Sequence, residues 1–251
     1  MNELPLSLED AIAQAKQATK AALDDGQTRV QVELVFPEIA LQAQSIAQAF
    51  IPIFEQYGSG LKILFPDTGA SALARRDWGE VPFKITDVGT SRSPAETRID
   101  DDDQVLLLVG PSAVEVAQVE KICNLAGDRP CVILNPQLED VSIVGIGYAA
   151  RQLRDRFLKT LESCYYLRPF PGGALWRCYP SVWQVWLEID DEYQLVTEEP
   201  SKPTTEAIEQ IILKANLVNT TSPEDSQNIP SAQKKQSLFS GIQKFLNALS
   251  R

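Results

Sequence analysis

Cys164 to Trp186 read C-Y-Y-L-R-P-F-P-G-G-A-L-W-R-C-Y-P-S-V-W-Q-V-W. These 23 residues hold three of the four Trp, three of the six Tyr, two of the four Cys and two Arg. Gly172-Gly173, just after Pro169 and Pro171, marks a turn between two strands. Pro180-Ser181 makes a second break, and Val182 to Leu187 start a third strand. The reading is an antiparallel meander whose aromatic area must be buried or bound. Arg168, Trp176, Arg177, Trp183 and Trp186 make up a candidate partner face, because Trp and Arg are enriched at protein–protein hot spots. In the ordinary alternative the rings are core, the arginine stems cover apolar surface and their heads pair with acids.

Upstream of the meander the pattern alternates strand and helix. Ser7 caps an Ala-rich helix to about Asp24, with Leu8, Ile12, Ala15 and Ala22 at helical spacing. Arg29 to Phe36 (R-V-Q-V-E-L-V-F) alternates as a strand and stops at Pro37. Glu38 to Tyr57 reads as one long helix with a kink or break at Pro52. Leu61–Phe65, Phe83–Val88, Gln104–Val109 and Cys131–Leu134 read as further strands, with helices after Asp67 and over 113–126. Gln104–Val109 is the most apolar and so the expected central strand, since strands covered on both faces lose alternation. Residues 141–147 read as an edge strand or loop, and 148–161 as an Arg-rich helix. After the meander come a last strand, Tyr193–Glu198, and an amphipathic helix, Thr204–Ala215. This predicts an α/β three-layer sandwich, its mixed, mainly parallel sheet Rossmann-like at first and continued by the antiparallel meander.

Residues 1–215 are expected to form one domain, and 216–236 have linker composition. In residues 237–251, Leu238, Phe239, Ile242, Phe245, Leu246 and Leu249 form an apolar helical stripe. From Ser231 on, the only charges are the cations Lys234, Lys235, Lys244 and Arg251. A tethered basic amphipathic helix suits an anionic membrane surface, a partner groove, or docking back on its own domain.

Composition narrows the chemistry. The net charge of −11 argues against nucleic acid as a partner. The chain has no His, which removes Ser-His-Asp and Cys-His catalysis and makes a zinc site improbable. Cys123, Cys131, Cys164 and Cys178 show no C-x-x-C pair and read as reduced, buried thiols. There is no G-x-G-x-x-G and no Walker lysine loop, so no cofactor and no metal is expected. Asp67-Thr68-Gly69 spells the aspartic-protease triplet, but one copy in an α/β frame reads better as a helix cap. The acidic run Asp100–Asp103 reads as a solvated loop, with a divalent-cation site as the alternative. The N-terminus resembles neither a signal nor a transit peptide, and no apolar run is long enough to span a membrane. A cytoplasmic protein, peripheral to a membrane through its last helix, is the expected location.

One positional argument points to a ligand site. Open α/β sheets bind ligands outside the carboxyl ends of their strands. Those ends carry Glu38, Asp67, Asp87, Ser112 and Asn135, with Arg151 and Arg154 able to face the same crevice. Turns and caps favour such polar residues in any case.

Phe36-Pro37-Glu38, Leu64-Phe65-Pro66-Asp67, Gly110-Pro111-Ser112, Asn135-Pro136-Gln137-Leu138 and Tyr165 to Trp186, with R-C-Y-P-S-V-W at its heart, carry a family likeness across residues 5–198. In this the chain resembles an uncharacterised domain family of cyanobacteria and plastids. That family includes chloroplast low-PSII-accumulation assembly factors and the C-terminal extension of a plastid adenylate kinase. The resemblance implies a non-enzymatic accessory protein in photosystem II assembly at the thylakoid surface, with a photosystem subunit or assembly factor as partner. It brings no catalytic residues. The alternative is a small-molecule-binding or hydrolytic α/β enzyme that uses Asp67 and Asp87.

Overall fold

The computed structural model describes residues 3–90, 92–139, 147–190 and 192–219, the backbone alone at Pro37, Glu38 and 216–219. Nine strands form one sheet: β1 (Arg29–Leu34), β2 (Leu61–Phe65), β3 (Lys84–Asp87), β4 (Val105–Val109), β5 (Cys131–Leu134), β6 (Glu162–Phe170), β7 (Gly173–Cys178), β8 (Trp183–Ile189) and β9 (Glu192–Glu199). Their order is β3-β2-β4-β5-β1-β6-β7-β8-β9. The first six in that order run parallel, and β6 to β9 pair antiparallel. β6 is the hinge of the design, pairing parallel with β1 and antiparallel with β7. The mixed three-layer architecture expected from the alternation is the one observed.

Among the described residues, six α-helices cover the sheet: α1 (Leu8–Asp24), α2 (Ala43–Phe50), α3 (Thr68–Trp78), α4 (Val116–Ala126), α5 (Tyr148–Arg156) and α6 (Thr205–Asn219). The alternation of each strand sorts its side chains to two faces. Val30, Val32, Leu107 and Trp176 share the first face with residues of α1, α2 and α3. Leu106, Leu108, Cys131 and Ile133 meet α4 and α5 on the second. Further along that face, Tyr166, Leu175 and Val185 pack under Ile208 of α6. Ser7 caps α1 by accepting from Asp10 N, and a stripe of alanines (Ala11, Ala15, Ala18, Ala22) lets the helix lie close on the sheet.

Three details depart from the pattern read in the sequence. The helix expected over 38–57 is broken: a 3-10 turn at Pro37–Gln42, then α2, then 3-10 turns over Ile51–Gly60. Pro52 has no N–H to give to the α-ladder, and Gly58 reverses the chain at φ 49°. Helix α4 starts at Val116 because Ser112 and Glu115 close a turn of their own first. β4, buried at every residue, is interior but third in the sheet; the middle strand of nine is β1. Residues 216–219, the start of the expected linker, continue α6, while 220–251, with the rest of that linker and the terminal helix, lie outside the described residues, as do 140–146.

Candidate functional site

The topology opens two crevices at the carboxyl edge. The chain leaving β1 passes to the first face through α2, and the chain leaving the adjacent β5 passes to the second through α5. Likewise β2 feeds α3 on the first face while its neighbour β4 feeds α4 on the second. Where connections part in this way, the strand ends are left uncovered and a ligand can enter. Of the five strand-end residues singled out in the sequence, Asp67 and Asp87 line one crevice and Asn135 the other.

The β2–β4 crevice, about 460 Å³, is lined by Asp67, Thr68, Asp87, Arg98 and Glu115 among others. Each carboxylate there already has a task. Asp67 caps α3 by accepting from Ala70 N at 2.9 Å. Asp87 accepts from Gly89 N at 2.8 Å and from Thr68 Oγ1 at 3.2 Å, and pairs with Arg98 Nη1 at 3.2 Å. Glu115 accepts from both the N–H and the Oγ of Ser112. Ser112 itself lies between the crevices, bridged to Gln137. Arg98 Nε has no acceptor among the described residues and lies against Gly89, where a Cβ would stand 2.8 Å from it. That contact, together with φ +77°, explains the glycine.

The crevice at β5, β1 and β6 is larger, about 650 Å³. Val35, Phe36 and Ile39 after β1, Asn135-Pro136-Gln137 after β5, and Tyr166, Arg168 and Pro169 of β6 line it. It continues through Glu33, Pro136 and Gln137 into a second recess of about 380 Å³ with Gln31, Arg154, Lys159 and Lys202. This recess exists because β1 is apolar on one face only. Val30, Val32 and Leu34 are buried, while Gln31 and Glu33 look into the gap between α5 and the segment that leads to α6, and Arg29 donates to Cys123 O and Asn124 Oδ1 of α4.

The polar groups in this gap are paired with one exception. Glu33 accepts from Gln31 Nε2 at 3.0 Å and Ser163 Oγ at 2.9 Å, and its other oxygen meets Lys202 Nζ at 3.4 Å. Lys202 Nζ also sits 4.0 Å from the centre of the Tyr166 ring, a cation–π contact. Burial pushes the Tyr166 phenol up to about 12, so it stays neutral. Arg154 pairs with Glu139 at 2.7 Å, whereas Arg151 is exposed on α5 and lines neither recess. The exception is Arg168, whose buried Nε has no acceptor among the described residues. An unsatisfied buried donor costs about 1–3 kcal/mol. Asn135 is the other unusual residue, held at φ 46° with its Oδ1 accepting from Leu34 N at 2.8 Å. Backbone in this region favours Gly and is tolerated by Asn, and at a strand-end crevice it is a sign of function. The side chain of Glu38 lies outside the described residues.

The partner face drawn on the meander does not form. Trp176 is wholly buried and Trp183 is 5% exposed, because alternation along β7 and β8 turns one into each apolar layer. Trp186 is half-buried, edge-on to Trp176 with centroids 6.1 Å apart. Arg177 follows the ordinary expectation, pairing with Glu162 and lying over the Trp183 ring. Arg168 lies on the other arm of the β6–β7 hairpin, opposite Leu175, and lines the crevice. The six terminal-helix residues from Leu238 to Leu249 lie outside the described residues.

Two further clusters are closed. The four cysteines are buried and form no disulfide; burial pushes the Cys164 thiol up to about 12, and the neighbouring Cys131 thiol with burial pushes Cys123 well above its usual value. Neither Cys123 nor Cys164 is a poised nucleophile. At the opposite, amino edge of the sheet, Asp100, Asp102 and Asp103 stand close enough to hold a cation. Two ammonium groups take that part. Lys62 lies 2.6 Å from Asp103 and 2.8 Å from Asp100, and Lys84 lies 2.6 Å from Asp102 and 3.0 Å from Asp100 and Asp103. The lysines hold the Asp100 carboxyl down at about 2. No described helix is long and apolar enough to cross a membrane.

Over residues 5–210 the chain matches the family described as Domain of unknown function (DUF1995). The chain belongs to the DUF1995 family. The match spans all nine strands and both crevices, so the open β5–β1–β6 crevice is part of a DUF1995 domain. No solved structure matches the chain.

Proposed function

We propose that this DUF1995 protein is a non-enzymatic binding protein that assists assembly of photosystem II at the thylakoid surface. The reading for binding, against catalysis, rests on one observation: the crevice carboxylates Asp67, Asp87, Glu115 and Glu33 are all held by internal hydrogen bonds. Each serves the fold itself: Asp67 caps α3, Asp87 holds Gly89 and Arg98, Glu115 holds Ser112, and Glu33 holds Gln31, Ser163 and Lys202. The placement in photosystem assembly rests on the ordered motifs from Phe36-Pro37-Glu38 to R-C-Y-P-S-V-W and on what the likeness to low-PSII-accumulation factors implies. With Trp176 and Trp183 in the core, the partner-binding surface is the crevice edge, and the apolar stripe Leu238 to Leu249 with the cations around it is a reversible membrane contact.

The test is a cyanobacterial host with its own copy deleted. Photosystem II content and its recovery after photodamage should fall, and the full chain should restore both. Normal accumulation in the deletion host would overturn the reading. A second reading, a hydrolytic or small-molecule enzyme, has one observation in favour: Asp67 and Asp87 do line a single crevice. Under it, Asp87→Asn would abolish a hydrolytic activity that the wild-type chain shows.

A further inference from the structure

We propose that the β5–β1–β6 crevice is a receptor for a small amphiphilic anion, one carboxylate or phosphate head on an apolar body, with Arg168 as its head-group ligand. The inference goes beyond the assembly role and does not depend on which partner the protein serves.

Among the described residues, Arg168 and Glu33 are the charged residues lining this crevice, and Glu33 is neutralised from the recess side by Lys202, with Gln31 and Ser163 donating to it. Arg168, whose Nε has no acceptor among the described residues, is therefore the crevice's charge in want of a partner, in a protein whose net charge is −11. A guanidinium carries five donors in a planar fork that fits a carboxylate or phosphate through two parallel hydrogen bonds. The chain segments around it leave that work to the side chain. Pro37, Pro136 and Pro169 follow or end the three strands and have no N–H, so the rim has few of the backbone donors that bind anions elsewhere. Asn135 spends its Oδ1 on Leu34 N, and its amide nitrogen remains as a second donor beside the arginine's crevice.

Apart from Gln137, the rest of the described wall is mainly apolar, with Val35, Phe36, Ile39, Pro136, Tyr166 and Pro169. A volume of about 650 Å³ is in the range of small-molecule sites, which pair an apolar wall with a few placed polar groups. An inorganic anion would leave this wall wet, and a neutral hydrophobe would leave Arg168 unsatisfied. A molecule with both parts answers both. The β2–β4 crevice lacks the feature, since its arginine is paired with Asp87 and packed on Gly89.

The test is calorimetric titration of the full chain with four probes below their micelle concentrations: decyl phosphate, decanoate, decanol and decyltrimethylammonium. The anions should bind, decanol about tenfold or more weakly, and the cation least. Decyl phosphate against decanoate decides between the two heads. Arg168→Gln should weaken the anions about tenfold or more and leave decanol unchanged, and Arg168→Lys should restore part of the loss. Thermal unfolding of each variant checks that it folds. Equal binding of decanol and the anions, an unaffected Arg168→Gln, or no binding of any probe would overturn the proposal. If Arg168→Gln loses the anions yet supports normal photosystem II content in the deletion host, the receptor stands and its link to assembly falls.

Discussion

At the amino ends of β2, β3 and β4, two lysines and three aspartates satisfy one another; at the carboxyl ends of β1, β5 and β6, an arginine Nε is left without an acceptor among the described residues. Both clusters put charge at the margin of the same apolar sheet. The amino-edge clasp takes an unpaired buried lysine and surrounds it, which is what stability alone requires. The carboxyl-edge crevice keeps its donor open, which costs stability and is retained where a ligand completes the pairing. Between the two stands the β2–β4 crevice, with the topology of a binding site and the saturation of a structural one. Topology says where a ligand can enter; unfilled hydrogen-bonding capacity says where it does.

Mutational stability can break this contrast. The largest loss is expected for Lys62→Met. It leaves Asp103, whose side chain is 0% exposed, short of its nearest counter-charge and should lower the unfolding free energy by about 3–5 kcal/mol in urea titration. Adding Asp103→Leu to it should recover most of that loss. Arg98→Ala comes next, at about 1–3 kcal/mol, because Asp87 loses a charged partner while keeping Thr68 and Gly89. The acid response of the clasp is smaller. Asp100 is depressed to about 2 in the fold, so its contribution is complete above its unfolded value of about 3.9 and is lost as pH falls toward 2. Its 54% side-chain exposure keeps this below about 1 kcal/mol, and Asp100→Asn should remove that part of the acid sensitivity. The smallest effect is expected at Arg168→Gln, a change within about 0.5 kcal/mol or a gain. A loss there as large as that of Lys62→Met would make Arg168 a structural residue and end the contrast.

Much of the architecture was legible from the chain. The strand–helix rhythm, the break at Gly172-Gly173 and the caps at Ser7 and Asp67 all recur in the fold. The carboxyl-edge argument gathered Asp67, Asp87 and Asn135 correctly, since it needs only parallel strands. Three things were not legible. Burial of Trp176 and Trp183 depends on which face of the sheet each residue meets, and the helix that covers Trp183 lies beyond the meander itself. The lysines that close the Asp100–Asp103 run come from β2 and β3, far from it in sequence. The open recess did leave a sign: R-V-Q-V-E-L alternates, yet it forms the middle strand of nine, where two covered faces would require a continuous apolar run. Gln31 and Glu33 therefore marked an uncovered face, but only the strand order makes that deduction possible.

The most direct measurement follows the Nε–Hε resonance of Arg168 by ¹⁵N–¹H NMR while decyl phosphate is added to the full chain, with Arg98, the other arginine whose Nε lacks an acceptor among the described residues, as internal control. The Arg168 resonance should move downfield and saturate with binding, and that of Arg98, packed on Gly89, should stay in place. An unmoved Arg168, or equal shifts at both arginines, would contradict the assignment of the β5–β1–β6 crevice as the anion site.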